Sequence, residues 1–215
     1  MSLFILKIIG IMTMFTDHWY HIIGGPEILN IIGRTAFPIF AFSLSEGYAH
    51  TRNLKKYLIR LFLFATAMQI PEMIFNLNYP MNIFFTLFTG LLIISIYHSD
   101  KINIFIKTVF ITVLCYIAHR LEFDYGIYGI LTIMIFHFFR NDKIKIAMSF
   151  LLLNLINYTD IFNMAHNQIY SVFALIPIFL YNERKGKNMK YLFYLFYPLH
   201  FIILEMIKYT IERYF

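Results

Sequence analysis

The stretch MTMFTDHWYHIIGG, Met12 to Gly25, places an aspartate and two histidines, Asp17, His18 and His21, within five residues of an otherwise uncharged run. Apolar sequence lies on both sides of it. An ionised residue at mid-bilayer costs about 2.5–3.5 kcal/mol on insertion scales. A leucine offsets only about 0.3–0.6 kcal/mol. Lys7, Met14, Asp17 and His21 follow one another at helical spacings of seven, three and four, so they form one stripe of a helix. In an apolar helix that stripe must face protein or water. His18 sits beside the stripe, eleven residues beyond Lys7, which is about 16 Å of helical rise.

Outward from this stretch the chain stays apolar. Its 215 residues are 60% hydrophobic and 20% aromatic, and only 14% are charged, against about 25% in soluble domains. Mean hydropathy is +0.65. The expected fold class is all-α: a polytopic transmembrane helical bundle, read as a single domain over residues 1–215. About nine spans are expected, over roughly 3–23, 28–48, 57–76, 82–98, 103–119, 125–139, 145–158, 168–182 and 191–212. Several are shorter than the ~20 residues of an upright span. The first is read as retained rather than as a signal peptide, because its apolar part carries an acidic residue and no small-residue cleavage site follows.

The net charge of +6 is distributed as membrane topology requires, not as a nucleic-acid surface. Basic residues cluster in HTRNLKKYLIR, RNDKIK and NERKGKNMK. With nine spans these loops share one side with the N-terminus, and the positive-inside rule makes that side cytoplasmic, with the C-terminus outside. The expected location is the cell membrane, multi-pass. Cys115 is the only cysteine, which excludes an internal disulfide and any cysteine metal cluster. No metal is expected.

The second span, GRTAFPIFAFSLSEGYAH, carries Arg34, Pro38, Ser43, Ser45, Glu46 and His50. Arg34 is read as entering from the outer side and Pro38 as interrupting the helix. Glu46 and His50 stand one turn apart. Arg52, Lys55, Lys56 and Arg60 follow as a topology signal or as cations that hold phosphates. In YNERKGKNMKYLFYLFYPLH, Lys185 and Lys187 flank Gly186 in a loop able to fold over an anionic ligand, and Tyr197, Pro198 and His200 enter the last span. Asn82, Thr86, Thr89 and Gly90 read as helix–helix packing. Glu122, Asp124 and Tyr125 read as the frame of an outer entrance, and AHNQ at His166 as solvated loop. There is no G-x-S-x-G elbow, H-E-x-x-H pair or Walker lysine loop.

In this order, TDH, GRTAFPIFAFSLSEGYAHTRNLKKYLIRL, NIFFTLFTG, DYGIYG and YNERKGKNMKYLFYLFYPLH resemble the TraX family across nearly the whole chain. That family is named for a protein that acetylates the N-terminus of conjugative pilin. It is similar to a wider set of transmembrane acyltransferases that includes acyltransferase-3 proteins and lysosomal heparan acetyltransferase. The resemblance implies transfer of an acetyl group from cytoplasmic acetyl-CoA to a peptide or glycan acceptor outside. It puts His18 in the place of the wider set's essential histidine, and Arg52 and Arg60 nearest its basic segment.

The chemistry needs a base for the acceptor proton, donors for the oxyanion and cations for the CoA phosphates, and no metal. The catalytic candidates are His18 as base or acetyl carrier, Asp17, Glu46 and Arg34. Glu46 is a candidate to orient His18, because adjacent helix residues point about 100° apart, leaving Asp17 to pair with Arg34 or His21. The cofactor-binding candidates are His50, Arg52, Lys55, Lys56, Arg60, Lys185, Lys187, Tyr197 and His200. Two other classes fit the composition: a small-solute transporter with a polar intramembrane path, and a non-catalytic membrane assembly subunit.

Overall fold

The computed structural model describes residues 1–74, 80–187 and 190–214. Residues 75–76 of the third expected span and residues 188–189 of the last basic loop lie outside the described residues. In chain order the helices are α1 Leu3–Ile22, α2 Ile28–Gly33, α3 Ala36–His50, α4 Leu54–Ile74, α5 Ile83–Tyr97, α6 Ile104–Arg120, α7 Gly126–Phe138, α8 Lys143–Asn157, α9 Leu175–Phe179 and α10 Lys190–Tyr214. A 3-10 helix, His166–Ala174, precedes α9. No strand occurs among the described residues.

Local chemistry sets the boundaries. Asn82, Asn103 and Asp142 cap α5, α6 and α8, accepting from Phe84 N at 3.1 Å, Ile106 N at 2.9 Å and Lys145 N at 3.0 Å. The Lys145 backbone N–H, followed by the Lys145 side chain, holds the exposed Asp142 carboxyl below its ordinary range. Gly24 and Gly25, at φ +95° and +122°, end the first helical segment.

Two expectations need correction. The second span is not one helix broken by Pro38. It parts at Arg34–Thr35 into α2 and α3, and Pro38 is the third residue of α3, in the first turn, where no N–H is needed. The eighth span is the nine-residue 3-10 helix followed by the five-residue α9. By length and composition, Ile28–His50 and Leu192–Tyr214 are long and apolar enough to cross a membrane, while Ile83–Tyr97 and Gly126–Phe138 are shorter apolar helices.

The chain forms two compact units, Met1–Ser43 with Ala165–Phe215, and Leu44–Met164. In the first, α1 packs against α2 and α10. The described part of the last basic loop runs along the start of α1. Leu3 N donates to Arg184 O at 2.8 Å, Phe4 N to Lys185 O at 3.2 Å and Asn182 N to Met1 O at 3.0 Å. Gly186, at φ +71°, lies so close to Ser2 and Phe4 that a side chain would collide with both.

In the second unit α5 packs on α4, α6 and α7, and α7 on α8. Asn82, which caps α5, and Gly90 within it serve packing, as expected. Asn82 Nδ2 donates to Ala65 O and Gln69 Oε1, both at 2.9 Å. Gly90 lets Ile133 of α7 come so near that a Cβ would lie 2.5 Å from its Cδ1. Gly90→Val is therefore expected to cost about 1–3 kcal/mol by overpacking, read as a lower thermal unfolding midpoint in detergent. Glu122, Asp124 and Tyr125 form a tight turn, with Glu122 and Tyr125 at φ +50° and +60°, and Asp124 N donating to Met81 O at 2.8 Å.

Candidate functional site

Within the first unit, the polar stripe of α1 meets α2. Arg34 Nη2 donates to Asp17 Oδ1, and Asn30 Nδ2 donates to the same oxygen at 3.0 Å. Asn30 Nδ2 also lies 3.1 Å from His21 Nε2. An amide nitrogen only donates, so His21 Nε2 is the acceptor there and its proton sits on Nδ1. Asn167, at the start of the 3-10 helix, donates from Nδ2 to Asn30 Oδ1. The Asp17 and Arg34 side chains are 14% and 11% exposed, and Asn30 is buried. Gly33 makes the approach possible: a Cβ there would strike the Asp17 side chain and lie 2.8 Å from its Cα. The expected pairing of Asp17 with Arg34 is thus present, while His21 stands 3.9 Å from the carboxylate.

His18 points away from this pair, to α10. Its Nδ1 lies 2.6 Å from His200 Nε2, with the rings stacked at 4.8 Å and 14°. His200, fully buried, places its Nδ1 2.9 Å from Phe196 O. A carbonyl only accepts, so the His200 proton is on Nδ1, His200 Nε2 accepts, and His18 Nδ1 donates to it. The chain of bonds leaves His18 Nε2 with a lone pair and no hydrogen bond among the described residues. Phe201 and Tyr197 wall the imidazoles: Phe201 lies 4.5 Å from the His18 ring and Tyr197 5.6 Å from that of His200.

Glu46 is engaged within the second unit. The buried carboxylate accepts from Arg140 Nε at 2.6 Å. A full cation satisfies it where a neutral imidazole would not. His50 donates from Nδ1 to Glu46 O at 2.9 Å and stands 3.8 Å from the carboxylate. Arg52, Lys55, Lys56, Arg60, Lys185 and Lys187 are all exposed. Arg60 stacks 5.3 Å from the Tyr57 ring, and Lys55 borders an apolar groove with Leu58, Phe62 and Phe88. Lys7 lies 5.6 Å from the Phe193 ring centre.

Several site residues escape sequence reasoning. Asn30 precedes Arg34 by four, one helical face, and that spacing was the available signal. Asn167 belongs to AHNQ, which is solvated at Ala165 and His166 but opens the 3-10 helix and is fully buried at Gln168. In the second unit, His98 and His137, at the ends of α5 and α7, bring their Nε2 atoms to 2.8 Å. Among the described residues no group of three or more His, Cys, Asp or Glu side chains is arranged to hold a metal ion.

A sequence model of the family described as TraX protein matches residues 2–208. The probable fimbrial assembly protein FimC, serogroup H1, of Dichelobacter nodosus is 29% identical, over an alignment covering 94% of each chain. No solved structure matches.

Proposed function

This chain belongs to the TraX family, and from that premise we propose that it is a multi-pass membrane acetyltransferase. It would move an acetyl group from cytoplasmic acetyl-CoA to an amine or hydroxyl at the outer side. The observation that carries this reading is the directed chain Phe196 O, His200, His18, which ends in an unengaged imidazole nitrogen. That is what a general base requires: a lone pair at one ring nitrogen and a fixed proton at the other.

In the step proposed, His18 Nε2 takes the proton of the acceptor amine or hydroxyl as its N or O bonds to the acetyl carbonyl carbon. The C–S bond of the thioester then breaks, and the proton returns from His18 to the departing sulfur. The thioester supplies an already activated acyl group.

The membrane setting is part of the proposal, as are the nine spans, the cytoplasmic N-terminus, the outer C-terminus and kinship with the acyltransferase-3 proteins. What supports burial in lipid is apolar surface turned outward. Ile104 and Phe105 on α6 are 75% and 74% exposed, and Met148 on α8 is 67% exposed. Soluble monomers rarely show such faces. The short helices would need a thinned bilayer, since the 13 residues of α7 rise only about 20 Å against a core of roughly 30 Å.

The name of the FimC relative favours an acceptor in pilus assembly, and hence a peptide α-amine. The same name favours a second reading, a non-catalytic assembly subunit. One experiment separates them. Purified protein in liposomes is given radiolabelled acetyl-CoA on one face and a peptide with a free N-terminus, or an amino sugar, on the other. Labelled acceptor is the expected result. Absence of both CoA binding and acetyl transfer, in protein that restores pilus assembly in cells, overturns the enzyme reading in favour of the second.

A further inference from the structure

Within the second unit, the ends of α3, α5 and α7 line an open pocket of about 470 Å³ bordered by Tyr48, Ala49, His98, His137, Phe138, Arg140 and Asn141. Its size falls in the range of small-molecule sites, roughly 300–1,000 Å³. We infer that this pocket binds a phosphate ester, held by the outer nitrogens of Arg140 and by His98, whose ring His137 orients.

Three observations lead there. The first is how Arg140 is held. Glu46, 2% exposed, engages Nε at 2.6 Å. No described residue takes a hydrogen bond from Nη1 or Nη2. A buried carboxylate thereby fixes the guanidinium plane, and its two outer nitrogens stay available as a fork. That fork matches two phosphate oxygens in a way a lysine cannot.

The second is the imidazole pair. With the two Nε2 atoms 2.8 Å apart, one ring must donate and the other accept. His137 Nδ1 is buried and has no partner among the described residues. A bare acceptor is tolerated there better than a bare N–H, so His137 carries its proton on Nε2 and donates to His98. His98, which is exposed, then keeps Nδ1–H for a ligand.

The third is the wall. Tyr48 stacks on His98 at 5.9 Å and meets His137 edge-on at 5.2 Å, giving an aromatic side against which a planar or apolar part of the ligand fits. The carbonyl ends of three helices favour cations here. A phosphate therefore relies on the Arg140 guanidinium for charge and on the His98 Nδ1–H for a further hydrogen bond.

The phosphate can come from a nucleotide-bearing acyl donor or from a phospholipid headgroup. The first identity rests on the acetyl-donor reading above; the site itself does not. The test uses the full chain in detergent, titrated with CoA, and the same chain in phosphatidylcholine nanodiscs with and without phosphatidic acid. The variants are Arg140→Lys, which keeps a cation beside Glu46 but removes the fork, and His98→Ala, at an exposed position that leaves folding intact. Lys145→Gln is the control, an exposed lysine on the following helix.

Arg140→Lys is expected to weaken CoA binding roughly 10- to 100-fold, His98→Ala several-fold, and Lys145→Gln not at all. Equal CoA affinity in all four proteins overturns the site and leaves the acetyl-donor reading standing. No CoA binding in the wild type, with phosphatidic-acid binding that Arg140→Lys abolishes, keeps the site, assigns it to lipid and removes the acetyl-donor reading. Binding of neither probe overturns both.

Discussion

His18→Ala should leave a folded protein whose acetyl transfer falls roughly 100- to 10,000-fold, the range of general base catalysis. The fold should survive because His18 is only partly buried, and its loss leaves His200 Nε2 as an unfilled acceptor rather than an orphaned donor. The accompanying variant is His200→Ala. If His200 acts through His18, removing it costs transfer by freeing the His18 ring. The double variant should then be no slower than His18→Ala alone, since groups that act as a unit are not additive. Single-turnover transfer and CoA affinity are measured together on each protein. Unchanged transfer in His18→Ala would remove that histidine from the chemistry. Additive losses in the double variant would show that His200 contributes by another route.

Arg34→Met is expected to be the most damaging change to stability, costing about 3–5 kcal/mol, because it leaves a buried carboxylate without its cation. The exposures decide the size. At 14% and 11%, the Asp17 and Arg34 side chains are too dry for water to take over the lost partner, whereas a surface pair would contribute only about 0–1 kcal/mol. Asn30 still donates to Asp17, but one amide does not replace a guanidinium. The double variant Asp17→Asn with Arg34→Met should recover most of the loss, since no uncompensated charge remains. Thermal unfolding in detergent checks both. An Arg34→Met midpoint equal to that of the wild type would mean that the carboxylate finds another partner or takes up a proton.

Much of the helical layout could be read from residue types, because apolar run length and Asn or Asp caps are local signals. Leu3–Ile22 and Ile83–Tyr97 fall almost where the apolar runs place them. Pro38 misled because proline reads as a breaker, yet in the first turn of a helix it breaks nothing. The 3-10 segment has the composition of a helix, and its tighter winding carries no residue signature. At the site, Asp17 and Arg34 were legible as a pair because a buried carboxylate in an apolar helix needs a cation and few are near in sequence. The partner of His18 was not legible. His200 is 182 positions away, and only the packing of α10 on α1 brings it to His18. Arg140 was visible only as a topology charge, since a loop cation gives no hint that it reaches a carboxylate 94 positions earlier.

Gly33 gives this geometry a fingerprint. No side chain fits between the backbones of α1 and α2 at that point. A TraX relative with even an alanine at the equivalent position must have pushed its first two helices apart, and its aspartate and arginine must then meet differently or not at all. One hydrogen atom in place of a methyl group therefore sorts which members can carry the same ion pair.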